Sequence, residues 1–133
     1  MMELKPYVHI RKEIDIVGAR QLGRELAKEL GFSKVDQARI ATAISELTRN
    51  IYLYAKTGKI YFEEIDQIDR KGLRVVAIDD GPGIKDISQV MQDGFSTSGG
   101  LGAGLPGVKR LMDQFEVNSM NEGTKIEAIK WVR

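Results

Sequence analysis

The sequence has 133 residues, 42% of them hydrophobic and 29% charged, a size that suits one compact core and leaves no room for a fused second domain. With 20 Lys and Arg against 19 Asp and Glu, the formal net charge of +1 gives no global field for nucleic acid or an anionic membrane. The absence of cysteine excludes disulfides, thiolate nucleophiles and cysteine zinc sites, and the lone His9 excludes the paired imidazoles of a metalloprotease.

The N-terminus is charged from Glu3 onward, with no signal-peptide pattern, and no apolar run approaches the ~20 residues of a membrane span, which predicts a soluble cytoplasmic chain. A short alternating stretch over Tyr7 to Arg11 leads into a helix from Ile14 to Leu30, with Ala19, Leu22, Leu26 and Leu30 at helical spacing and Gly31 as its stop. A second helix starts at Ser33. From Ile40 its apolar residues Ile44, Leu47, Ile51 and Tyr54 recur in steps of four and three to an end near Ala55. Strands are predicted over Ile60 to Ile65 and Leu73 to Ile78, the latter nearly continuous and so central, with a turn from Asp66 to Gly72 between them. A short helix is predicted from Asp86 to Asp93, followed by a glycine-rich loop. Past that loop, Pro106 suits a first helical turn, and Val108, Leu111, Met112 and Phe115 form a core-facing stripe. Strands around Glu116 to Ser119 and Thr124 to Trp131, joined by a turn at Asn121 to Gly123, close the chain. The order predicts an α+β fold, a two-layer α/β sandwich with a mixed, mostly antiparallel sheet and helices on one face.

Three clusters carry chemistry. Glu46 and Asn50, four apart on the second helix, share one face, and Thr42 extends the stripe by a turn. The pair reads either as a solvated helix face or as a site where Asn50 offers an oxygen to Mg²⁺ and Glu46 takes a proton. Asp79-Asp80-Gly81-Pro82-Gly83 ends the central strand. It reads either as a turn or as a fixed carboxylate beside glycines that let a ligand approach the main chain. Six of the 14 glycines fall between Gly94 and Gly107, just ahead of a helix; such free amides and a helix N-terminus form a phosphate-binding device, to which Ser96, Thr97 and Ser98 add hydroxyls. Gly102, Gly104 and Gly107 formally satisfy the dinucleotide fingerprint, but a serine-rich loop precedes them where a strand is required. There is no P-loop and no eukaryotic protein-kinase motif set.

Together, ExxxN on a helix, DxGxG after a strand, GxGxG before a helix and Gly123-Thr124 entering a late strand resemble the GHKL ATP-binding superfamily, whose ATP-binding domain is of the Bergerat type. More narrowly, residues 44–55 and 93–113 resemble the RsbT-type switch kinases of the stressosome, relatives of the anti-sigma-factor serine kinases. The resemblance spans the whole chain and implies a single ATP-binding kinase domain over residues 1–133. It implies ATP and Mg²⁺ as cofactors, with Asp79 accepting from the adenine amino group, Thr124 supporting it through water, and Gly81 and Gly83 lining the pocket. Asn50 would hold Mg²⁺, Glu46 would act as base, and Gly100, Gly102 and Gly104 would cradle the phosphates. The implied partners are STAS-domain substrates and scaffold proteins and a PP2C-type phosphatase that the kinase activates on release. The implied alternative is a nucleotide-dependent binding module whose output is partner switching. The sequence departs from many anti-sigma kinases at Tyr54, where they carry histidine, and in a loop from Gly94 to Gly104 without a basic residue. Lys109 and Arg110 are the cations next along the chain, within a helical turn or so of that loop, and read first as solvated helix residues.

Overall fold

The computed structural model describes residues 5–81, 104–120 and 123–133. In chain order these form β1 (Tyr7–Ile10), α1 (Glu13–Leu30), α2 (Lys34–Tyr54), β2 (Gly58–Asp66), β3 (Lys71–Asp79), α3 (Gly104–Leu111), β4 (Gln114–Met120) and β5 (Gly123–Trp131). The expected helix from Asp86 to Asp93 and the glycine-rich loop up to Ala103 lie outside the described residues.

Local chemistry sets the helix ends. The Asp15 carboxylate accepts the backbone N–H groups of Arg11 and Lys12, both at 2.9 Å, which fixes the start of α1. Gly31 ends α1 in the left-handed region, at φ 96°. The Ser33 hydroxyl accepts the Asp36 N–H at 3.1 Å and so begins α2 at the residue the sequence indicates.

The strands form one sheet in the order β1-β2-β3-β5-β4. All four pairings are antiparallel, so among the described residues the sheet is not mixed: a tight turn joins β2 to β3, β4 pairs with β5, and β5 runs back along β3. Ile60 and Phe62 of β2, Leu73, Val75 and Ala77 of β3, and Ile126 and Ala128 of β5 point to one face. Against them pack Ala19 and Ala27 of α1, Ile40, Ile44, Leu47 and Ile51 of α2, and Leu105 and Val108 of α3. The helices thus cover one face of the sheet, the two-layer arrangement that the element order predicts. Phe115 belongs to β4 and not to the helical stripe. It still packs on the core, because in register with Ala128 it faces the helices from the strand.

Far from the ends of β3 and β5 that form the site, Lys130 of β5 is 3% exposed. Its Nζ donates to the carbonyl of Leu111, the last residue of α3, at 2.7 Å and lies within 4 Å of Asp36 and Asp113.

Candidate functional site

The candidate residues lie along the carboxyl half of α2, with the start of α3 against Glu46 and the end of β3, paired with the start of β5, against the end of α2 at Ala55. Glu46 is 3% exposed. Burial of a carboxylate requires donors, and two are present: Arg49 Nη1 donates to Oε1 at 3.1 Å, and the backbone N–H of Gly104 donates to Oε2 at 3.2 Å. Gly104 is the first residue of α3, whose leading N–H groups have no partner within the helix, so an acidic group is well placed there. Asn50 follows Glu46 by one turn and is half-buried, as is Thr42 one turn before it. Among the described residues the Asn50 amide makes no hydrogen bond, which leaves its oxygen for a ligand.

Asp79 closes β3 on the helix-facing side and is buried. Its Oδ1 accepts the Gly81 N–H at 2.9 Å. Burial pushes its carboxyl above the ordinary Asp value; the neighbouring charge of Asp80 acts in the same direction, and the backbone N–H groups of Gly81 and Thr124 work against it. Thr124 is its register partner on β5, buried, with Oγ1 at 3.1 Å from Ser119 Oγ on β4.

Close backbone approach holds these parts together. A Cβ on Gly81 would stand 2.6 Å from the Ala55 Cβ, so only glycine lets the chain leaving β3 lie against the end of α2. Gly123 has φ +152°, and a Cβ there would come within 2.4 Å of the Asp79 carbonyl oxygen. Its role at the entry to β5 is therefore steric, ahead of Thr124.

Glu46 and Gly104 are brought into contact, Asp79 meets Gly81 and Thr124, and Asn50 lies one turn from Glu46. Gly83, Gly100 and Gly102, with Ser96, Thr97 and Ser98, lie outside the described residues. Lys109 and Arg110 occupy the last turn of α3 and are exposed, at the opposite end of that helix from Gly104. Sequence reasoning missed Arg49 and Ser119. The i,i+3 spacing from Glu46 was a usable signal for Arg49; nothing local marks Ser119, whose place depends on the β4–β5 register.

The donor set fits a nucleotide. Asp79 is a buried acceptor suited to an exocyclic amine, and Asn50 is a half-buried neutral oxygen. No group of three or more His, Asp or Glu side chains that could hold a metal exists among the described residues. A divalent cation here would take most of its oxygens from phosphate and water, as Mg²⁺ commonly does. No described helix is long and apolar enough to cross a membrane.

Residues 11–130 match the histidine kinase-like ATPase domain family. The chain is 68% identical over 127 residues to the serine/threonine-protein kinase RsbT of Bacillus subtilis, covering 95% of this chain and 96% of that one. It is 31% identical to the anti-sigma F factor of Caldanaerobacter subterraneus, over 99% of this chain and 94% of that one. In fold it is similar to a crystal structure of the RsbU and RsbW domains of a Mycobacterium tuberculosis protein, with a TM-score of 0.65 and 19% identity. That match covers 94% of this chain and 32% of the longer one. The resemblance read from the motifs is borne out.

Proposed function

The chain belongs to the histidine kinase-like ATPase domain family, and from that premise we propose that it is an ATP-dependent serine/threonine-protein kinase acting on partner proteins. The observation that carries this reading is the buried Glu46 carboxylate joined to the first amide of α3, which puts a proton acceptor against the residue that directly follows Ala103 in the glycine-rich sequence. Identity of 68% to a serine/threonine-protein kinase supports the same activity. Asp79, with Thr124 beside it, holds the adenine, and Gly81 and Gly83 line that pocket. Asn50 would hold Mg²⁺, which when bound would neutralise phosphate charge; Gly100 and Gly102 supply amides to the phosphates, and Gly104, whose N–H donates to Glu46, borders them. Glu46 takes the proton of the acceptor serine or threonine hydroxyl as its oxygen bonds to the γ-phosphorus and ADP leaves. Positioning and electrostatics dominate such transfers, in keeping with few catalytic side chains.

The protein substrates are STAS-domain members of a stress-signalling complex, and on release the kinase binds and activates a PP2C-type phosphatase. Similarity to anti-sigma F factors favours a second reading, in which partner switching itself is the output. Incubation with labelled ATP and a STAS-domain protein separates the two. Glu46→Ala is expected to lower transfer by about 100-fold or more, the usual scale for a general base, at unchanged nucleotide affinity. Equal labelling by the variant would overturn the base assignment, and partner binding that persists in a nucleotide-blind Asp79→Asn variant would favour the second reading.

A further inference from the structure

We propose that Arg49 is the cation that receives the γ-phosphate, so that the site tells ATP from ADP through this side chain. The inference rests on the nucleotide reading above and deepens it. A base that serves the attacking hydroxyl must stand close to the γ-phosphorus, which brings two anions, a carboxylate and the terminal phosphate, into one small space. Glu46 is 3% exposed and so has little water to screen that repulsion. A positive charge between them is required.

Arg49 is in that position. One arm of its guanidinium, Nη1, holds Glu46 Oε1 at 3.1 Å, while the side chain keeps 28% of its surface open. The fork has five N–H donors, and its contact to Glu46 through Nη1 leaves others for the bidentate geometry that arginine makes with phosphate. Arg49 also adjoins Asn50, the proposed metal ligand, so a cation on each side would meet the same terminal phosphate. The other basic candidates are placed elsewhere. Lys109 and Arg110 sit exposed in the last turn of α3, away from Gly104. Lys130 points to the Leu111 carbonyl and to Asp36 and Asp113, at the far end of β5.

Calorimetric titration with ADP and with a non-hydrolysable ATP analogue, both with Mg²⁺, tests the inference without relying on turnover. Arg49→Gln is expected to weaken the ATP analogue by about 10-fold or more, the size of a lost charge-assisted hydrogen bond, and to leave ADP within about 2-fold. Arg49→Lys, which keeps the charge and loses the fork, should fall between. Arg49→Gln leaves the Glu46 carboxylate buried with one donor fewer, so Glu46→Gln is compared with the double variant Glu46→Gln/Arg49→Gln, in which no buried charge is stranded. The same selective loss of the ATP analogue is expected between those two. Equal weakening of both nucleotides, or of neither, overturns the role of Arg49 while the nucleotide site stands. A wild-type protein that binds neither nucleotide overturns the inference together with the reading it rests on.

Discussion

Asp79 lies buried beside the charge of Asp80, with the Gly81 N–H as its nearest donor. A carboxyl whose folded-state pKa is raised favours the fold only while protonated. Its contribution is present below the ordinary Asp value of ~3.9 and is lost as pH rises through the raised value. At neutral pH the wild-type protein therefore carries a penalty that an amide avoids, since the Asn oxygen can still accept from Gly81. Asp79→Asn is expected to melt at a higher temperature than wild type at pH 7, and the gap should narrow as pH falls toward 4. Thermal unfolding across that range checks it. A variant less stable at every pH would show that the carboxylate is structural and not held at a cost for binding. Gly123 obeys a different constraint, since any side chain there would meet the Asp79 carbonyl oxygen.

Among the elements, α2 does most to join sequence to site. Its apolar stripe faces the sheet, its Ser33 cap fixes where the turns begin, and that phase places Glu46 toward α3. Ser33→Ala is expected to cost about 1 kcal/mol, read from a denaturant midpoint. No change there would mean that tertiary packing alone sets the start of the helix. The second helix, its cap and the central position of β3 were legible in the sequence because periodicity and capping are local signals. The end of α3 was not legible from periodicity. Phe115 continues the spacing of Val108, Leu111 and Met112, yet belongs to β4, because a strand facing the same core buries it equally well. Of the candidate site, Glu46, Asn50 and Asp79 could be read from motif chemistry and Thr124 from the family resemblance, whereas the contact of Glu46 with Gly104 spans 58 residues and exists only once α3 packs on α2. Lys130 carried a signal that went unused: in alternation with Ile126 and Ala128 it falls on the buried side of β5.

Across the whole molecule, α3 is gripped at both ends. Its first amide meets Glu46 on α2, and its last carbonyl accepts from Lys130 on β5, the strand that begins beside Asp79. Around Lys130, Asp36 binds Arg39 at 2.9 Å and Asp113 binds Arg133 at 2.7 Å, so buried charge is balanced on every side. Burial alone would raise the Asp113 carboxyl, but the Trp131 N–H, the Arg133 guanidinium and the Lys130 charge outweigh it and hold the group below its ordinary value. Lys130→Met is expected to cost about 3 kcal/mol, the low end for stranding buried partners, because Arg39 and Arg133 remain. Denaturant unfolding measures this; a loss under about 1 kcal/mol would mean that the ion cluster contributes little.

The central claim is that Asp79 anchors a nucleotide in this site. It is tested most directly by calorimetric titration of the purified wild-type protein and Asp79→Asn with ADP and ATP plus Mg²⁺. The account predicts binding by wild type and a loss of about 1.5–3 kcal/mol in the variant, the range for a hydrogen bond to a charged group. Equal affinity in the two proteins, or no binding by wild type, would contradict it.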